Sequence, residues 1–160
     1  MAASDWSAVT LCTYADVKEE FPEKIGLDRL TGEASAADAK DAVEAKIAKA
    51  KERIGDRLLA DLRDRIFSMN LDADVDIRDW IHNPTIFKNA CVFMTLHLLC
   101  NANVMHPDDL YSAKSEYYLR QFKDEMNMAT ALVQFDSDDD AAMDELEASR
   151  STMAFKLTRV

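Results

Sequence analysis

The longest apolar stretch of the chain runs from Thr85 to Val104 and is apolar on nearly every side when it is drawn as a helix. A helix of this kind normally lies at the centre of a bundle, where its neighbours cover all of its sides. Lys88, Asn89, His97 and Asn101 interrupt the stretch, which is also barely long enough to cross a bilayer. We therefore predict a buried central helix and no contact with a membrane.

A second pattern places apolar residues three, four or seven positions apart and predicts a long helix, capped by Ser35 and ending near Met69. The residues on its apolar face are Ile47, Ile54, Leu58, Leu62, Ile66 and Met69. The front of this helix, residues 35–50, is rich in Ala, which favours helix but offers little surface to bury. We therefore expect residues 35–50 to form an exposed arm and Gly55 to mark a bend.

Capping residues predict two further helices. Thr13 can cap a short helix, Asp16 puts a carboxylate in its first turn, and Phe21-Pro22 ends it. Pro107 and the following Asp108-Asp109 open another helix, because Pro and carboxylates favour the first turn. The predicted apolar stripe of that helix consists of Leu110, Ala113, Tyr117, Tyr118, Phe122, Met126 and Ala129.

The remaining connections are predicted to be loops. The segment from Glu23 to Ala34 contains Gly26 and Gly32, two residues that interrupt regular structure. A second loop is predicted from Asn70 to Pro84. Neither connection shows a helical or strand period.

Near the C-terminal end the apolar period changes from the helical spacing to two, which indicates strand. Ala131, Val133 and Phe135 alternate with Leu132 and Gln134. Met153, Phe155 and Leu157 alternate with Ala154, Lys156 and Thr158. The two segments are predicted to pair antiparallel, so that residues 131–160 form a strand pair around an acidic loop. The predicted fold is therefore mainly α: a single-domain helical bundle over residues 1–160, with a long helix, a buried central helix and a small C-terminal β-strand pair.

The acidic loop, residues 136–147, has carboxylates at positions one, three, five, nine and twelve of a calcium-binding loop. These residues are Asp136, Asp138, Asp140, Asp144 and Glu147. Ala141 replaces the Gly that the sharp turn at position six requires, and Met143 replaces the usual branched apolar residue. The flanking segments are predicted strands, whereas an EF-hand has helices there. We therefore expect an acidic turn with weak divalent binding at most, and no cofactor.

The overall charge argues against a nucleic-acid-binding module. The 160 residues carry 30 acidic and 19 basic side chains, a formal net charge of −11, whereas phosphate binding depends on Lys and Arg. The densest basic run, from Lys46 to Arg65, is interleaved with acidic residues and is predicted to be a solvated helix face.

Residue patterns typical of enzymes are missing from the sequence. No Ser lies in GxSxG, no phosphate-binding Gly loop occurs, and His82, His97 and His106 lack metal-ligand spacing. His97 is expected to be a hydrogen-bonded core residue. The three cysteines form no CxxC pair, and the first ten residues lack a secretory pattern, so we expect reduced thiols inside a cell. We do not expect an enzyme.

The order of these features resembles the head–tail connector proteins (adaptor or head-completion proteins) of long-tailed bacteriophages. The matching features are, in order, the helix start Thr13-Tyr14-Ala15-Asp16-Val17, a long charged helix, the apolar helix around Phe87-Lys88-Asn89-Ala90, the helical segment Tyr117-Tyr118-Leu119-Arg120-Gln121-Phe122, the Asp-rich turn and the ending Lys156-Leu157-Thr158-Arg159. The chain departs from the family at Ala141, where Gly is expected, and in its Ala-rich arm.

The resemblance implies a homo-oligomeric ring, expected to be a dodecamer, that docks beneath the portal protein and presents a platform to a tail or neck protein. DNA would pass through the ring without specific binding, and the protein would occur in the virion and, during assembly, in the host cytoplasm. The terminal strand offers an unpaired edge to a partner, so Phe155, Leu157 and Arg159 are predicted interface residues, with a place in the core as the alternative. The alternative function is a divalent-cation-binding regulatory protein that uses residues 136–147.

Overall fold

The computed structural model describes residues 6–21, 26–33, 35–69 and 76–135, and this part of the chain is mainly helical, as predicted. The helices are α1 (Tyr14–Glu20), α2 (Gly26–Thr31), α3 (Ala36–Met69), α4 (Lys88–Ala102) and α5 (Leu110–Ala131). Two 3₁₀ turns, Ile77–Trp80 and Pro84–Phe87, precede α4. The second predicted strand and the acidic loop lie outside the described residues.

The helix α4 is the centre of the bundle, which confirms the prediction from its apolar surface. It packs most extensively against α5 and next against α3. Its buried residues point in all directions around the helix axis: Ala90, Cys91, Val92, Met94, Thr95, Leu96, Leu98, Leu99 and Cys100. Burial of this many apolar side chains makes α4 the largest source of hydrophobic stabilisation in the fold.

The long helix α3 begins as predicted. The backbone N–H of Asp38 donates to the Ser35 hydroxyl over 3.2 Å, and that hydroxyl donates to the Asp38 carboxylate over 2.6 Å. The prediction of an exposed arm over residues 35–50 needs correction, because Ala39 and Val43 are completely buried. Small side chains let this part of α3 pack closely against the rest of the bundle, so only its outer face is exposed.

Gly55 lies within α3 and makes room for close neighbours from other segments. A Cβ atom at this position would lie 2.8 Å from Nη1 of Arg78 and 3.2 Å from Nε1 of Trp6. Arg78 is itself held by an ion pair with Asp76, and the Trp6 backbone N–H donates to Asp79 over 2.7 Å. Gly55 therefore allows the 3₁₀ turn and the N-terminal segment to lie directly on α3.

The loop predicted from Glu23 to Ala34 is wrong over Gly26–Thr31, where α2 forms. Leu27 and Leu30 are buried, and the side-chain amide of Asn103 donates to the Leu30 carbonyl over 2.6 Å. Gly32 ends the helix with a positive φ of 73°, a conformation that Gly adopts without steric cost. Tertiary contacts therefore stabilise a helix that its local sequence does not predict.

The helix α5 starts three residues after Pro107, later than predicted. Asp109 is the N-cap: its carboxylate accepts from the backbone N–H groups of Ser112 (2.7 Å), Met105 (2.9 Å) and His106 (3.3 Å). These hydrogen bonds, led by that from Met105, hold the pKa of Asp109 below its ordinary value.

After α5 the chain returns to the start of the α4 region. The predicted strand that begins at residue 131 does not form, because α5 extends to Ala131 and residues 132–135 belong to no strand. Val133 and Phe135 are nevertheless buried while Leu132 and Gln134 are exposed. Phe135 forms an antiparallel bridge with Ile81. The predicted pairing with residues 153–157 involves a segment outside the described residues.

Candidate assembly surface

A line of large apolar side chains is exposed along α5. Leu110, Tyr117 and Met128 are 62%, 53% and 55% exposed, and Leu132, at the C-cap, is 64% exposed. Helical geometry places the first three within about 20° of one another around the axis and spreads them over about 27 Å. We call these four residues the α5 stripe. The polar Gln121 lies between Tyr117 and Met128 on this side of the helix, so the apolar side chains alternate with polar ones. Large apolar side chains that stay exposed on one side of a helix are typical of protein–protein contacts.

The α5 stripe lies on a different side of α5 from the face that packs in the core. The buried face of α5 is formed by Tyr118, Phe122, Met126 and Ala129, which already pack within the bundle. With a rotation of 100° per residue, the α5 stripe lies about 110° around the helix from this buried face. The core of α5 is therefore complete without the α5 stripe.

Tyr117 is held in a fixed position although it is exposed. Its ring lies edge-on to Tyr118, with centroids 5.3 Å apart and planes at 68°. Tyr118 in turn stacks on Phe93 of α4, with centroids 6.3 Å apart. Aromatic contacts of this kind restrict the ring before any partner binds, which lowers the entropy cost of binding.

An acidic cleft of about 240 Å³ lies where α1, α4 and α5 meet. Its single lysine, Lys88, pairs with Asp16 over 2.7 Å. Hydrogen bonds from the Lys88 side chain and then from Thr13 lower the pKa of Asp16 to about 2, and the same ion pair raises the pKa of Lys88. The remaining carboxylates of the cleft belong to Glu19, Glu20 and Glu125. The cleft is therefore unsuited to bind phosphate groups.

Two cations of the basic run on α3 stabilise the fold. The Lys51 ammonium donates to the carbonyls of Ser7 (2.8 Å) and Val9 (2.6 Å). Arg57 pairs with Asp61 over 3.1 Å and donates to Asn127 of α5 over 3.1 Å. The prediction of a wholly solvated face is therefore wrong for Lys51 and Arg57, which connect α3 to the N-terminal segment and to α5.

Residues predicted as sites fall mostly outside the described part of the chain. The calcium-loop carboxylates (Asp136, Asp138, Asp140, Asp144 and Glu147) and the predicted interface residues (Phe155, Leu157 and Arg159) all lie there. Within residues 6–21, 26–33, 35–69 and 76–135, no three His, Cys, Asp or Glu side chains are arranged to hold a metal ion. His97 is hydrogen-bonded as predicted, with Nδ1 3.0 Å from both the carbonyl and the hydroxyl oxygen of Ser115. No helix among the described residues is long and apolar enough to cross a membrane.

Sequence reasoning assigned Leu110 and Tyr117 to the buried stripe of α5, and this assignment is wrong. Tyr117 and Tyr118 are adjacent and therefore point about 100° apart, so both cannot lie at the centre of one face. Leu110, Tyr117 and Met128 form a second line of apolar residues, which runs beside the buried line that contains Tyr118. The angle of each residue around the helix axis separates the exposed line from the buried one.

Comparison of the chain with protein-family models, with curated protein sequences and with solved structures gives no match. The function is therefore inferred from the residues themselves, which form an acidic chain whose described part is mainly helical and carries the α5 stripe.

Proposed function

We propose that this chain is the subunit of a head–tail connector ring in a long-tailed bacteriophage. In this role it docks between the portal and a tail or neck protein, extends the channel through which DNA passes and catalyses no reaction. The ring assembles in the host cytoplasm and remains in the virion. The observation that carries the proposal is the α5 stripe, which gives a helical body a lateral contact surface.

The α5 stripe suits contact with a second copy of the chain. Each subunit of a closed ring has two different contact surfaces. The first surface of one subunit binds the second surface of its neighbour. The α5 stripe supplies about 27 Å of one such surface, with Tyr117 as an aromatic anchor of the kind that dominates binding energy at interfaces. Because the α5 stripe lies beside the buried face of α5, a subunit outside the ring keeps its complete core.

The charge of the chain also supports the proposal. A channel that passes DNA must not retain it, and an acidic wall avoids the neutralisation of phosphates that makes binding strong. The net charge of −11 and the acidic cleft between α1, α4 and α5 fit such a wall. The same charge makes subunits repel one another, so their assembly is expected to strengthen as salt screens the repulsion.

The test is the mass of the full chain in solution, measured by light scattering and sedimentation as concentration and salt are raised. We expect closed rings, which electron micrographs will show directly, alone or after addition of the portal protein of the same phage. The double variant Tyr117→Glu/Met128→Glu should weaken assembly at least about tenfold, because it places charges in the contact.

The matched control is Arg120→Glu, which makes the same change in net charge at an exposed position of α5. It should assemble like the unaltered chain. A chain that stays monomeric at high concentration and salt and does not bind the portal contradicts the connector proposal. Equal loss in both variants would show that charge alone, and not the α5 stripe, controls assembly.

The second candidate, a divalent-cation-binding regulatory protein, is favoured by the five carboxylates at calcium-loop spacing in residues 136–147. Calorimetric titration with calcium separates the two proposals. The connector proposal expects millimolar binding or none. Micromolar binding that is abolished by Glu147→Gln would establish the second candidate instead.

A further inference from the structure

Two cysteines that are 79 positions apart in sequence meet in the core. The sulfur atoms of Cys12 and Cys91 lie 2.9 Å apart, and both side chains are buried as thiols. Cys12 immediately precedes the N-cap of α1, and Cys91 lies in the first turns of α4. A disulfide bond is about 2.05 Å long, so the two sulfur atoms need to approach by only about 0.9 Å.

Both elements that carry these cysteines are fixed in place. Lys51 binds the carbonyls of Ser7 and Val9 on the N-terminal side of Cys12. On its other side, the pair between Asp16 and Lys88 connects α1 to α4 one turn before Cys91. The segment that carries Cys12 is therefore bound to α3 on one side of the sulfur contact and to α4 on the other.

The pair contains one thiol that ionises before the other. A hydrogen bond from the Cys91 thiol lowers the pKa of Cys12, an effect that burial and Asp16 oppose. The same contact and burial raise the pKa of Cys91. Cys100 has no such partner, and burial raises its pKa to about 11. Cys12 is also the more accessible of the two, since it retains some exposed surface whereas Cys91 is completely buried, so Cys12 is the thiol that meets an oxidant first.

We propose that Cys12 and Cys91 are a redox-modification site that forms a reversible intrachain disulfide by exchange with a low-molecular-weight disulfide such as oxidised glutathione. The Cys12 thiolate attacks one sulfur of the oxidant, forms a mixed disulfide and releases one glutathione thiol. Cys91, having lost its proton to solvent, attacks the Cys12 sulfur and releases the second glutathione thiol. The protein loses two electrons and two protons, and oxidised glutathione becomes two thiols.

The experiment measures how strongly the native fold favours this bond. The full chain is unfolded in urea, refolded and equilibrated in glutathione buffers of known ratio, and compared with chain that is kept in urea. Free thiols are then alkylated, and the disulfides are mapped by mass spectrometry after chymotryptic cleavage, which separates Cys91 from Cys100 after Phe93. We expect the bond between Cys12 and Cys91 to dominate, with an effective concentration at least about a hundredfold higher in the native chain than in urea.

Variants make the test specific to this pair. Cys100→Ser should form the disulfide like the unaltered chain, whereas Cys12→Ser should form none at Cys91, and circular dichroism checks that both remain folded. An effective concentration no higher than in urea would overturn the proposal. So would comparable amounts of the other two pairings, or a mixed disulfide that persists at Cys12 without closing.

Discussion

The helices α4 and α5 pack against each other, but they use their apolar side chains differently. In α4 the large aliphatic side chains, such as Leu96, are all buried within the chain. In α5 one line of apolar side chains is buried, whereas the α5 stripe beside it stays exposed. The comparison teaches that an apolar residue indicates a binding surface only when packing within the chain itself does not bury it. In α4 the aliphatic side chains are used up by the core, whereas in α5 apolar side chains over about 27 Å remain exposed.

The most direct way to break this comparison is to make the same substitution in both helices. Leu96 is completely buried, so Leu96→Ala should lower the free energy of unfolding by about 2–5 kcal/mol through lost burial and a cavity. Leu110→Ala, at an exposed position, should change it by less than about 0.5 kcal/mol. Urea unfolding followed by circular dichroism measures both. Similar losses in the two variants would mean that the α5 stripe belongs to the core.

The second prediction separates assembly from stability at one residue. Tyr117→Ala should weaken self-association about tenfold or more, a loss of about 1.4 kcal/mol per contact, because an anchor is removed. Its effect on unfolding should be smaller than that of Leu96→Ala, since about half of Tyr117 is exposed whereas Leu96 is completely buried. Sedimentation of a sample measures its self-association, and urea unfolding of the same sample measures its free energy of unfolding. Unchanged sedimentation would remove Tyr117 from the assembly surface.

A third prediction concerns the polar contact that joins the two helices. Ser115→Ala removes the hydroxyl that lies 3.0 Å from Nδ1 of His97 and should cost about 0.5–1.5 kcal/mol of stability. The Ser115 carbonyl remains as a partner for His97, which limits the loss. Ser112→Ala, one turn earlier on α5, is the control and should cost less. Thermal unfolding compares them, and equal costs would mean that the contact with His97 contributes nothing.

The smallest effect is expected from the ion pair on the surface of α4. The pKa of Asp16 is lowered from 3.8 to about 2, chiefly by Lys88, so the pair contributes stability above the ordinary pKa. This contribution is lost as the pH falls through about 2. The difference in stability between Asp16→Asn and the unaltered chain should therefore be present at neutral pH and vanish in strong acid. A difference that is constant down to pH 2 would mean that the charge of Asp16 does not contribute to stability.

Elements whose stabilisation is local were predictable from sequence. Thr13 and Asp16 form the capping box of α1, Ser35 starts α3, and the apolar surface of α4 identifies the central helix. The helix α2 was missed because Leu27 and Leu30 become buried only when α3 and α4 are in place. Its first residue, Gly26, also suggested a loop.

Contacts between distant parts of the chain were not predictable. Nothing in the spacing of Cys12 and Cys91 shows that their sulfur atoms meet, because the contact depends on the docking of the N-terminal segment onto α4. The role of Gly55 is hidden for the same reason, because the arginine and tryptophan that require its lack of a side chain come from other segments. The exposed line on α5 depends likewise on which face α4 covers.

The bridge between Ile81 and Phe135 affects how fast amide protons in this part of the chain exchange with solvent. The side chain of Asn83 donates to the Leu132 carbonyl over 3.0 Å and accepts from the Gln134 N–H over 3.0 Å, while the His82 N–H donates to the Gln134 carbonyl over 2.9 Å. These bonds join the two ends of the segment 81–135, which contains α4, α5 and the densest contacts of the fold. Such a closed segment opens as one cooperative unit. Amide protons on both sides of the bridge should therefore exchange with solvent at the rate of the α4 core, far more slowly than an isolated chain end.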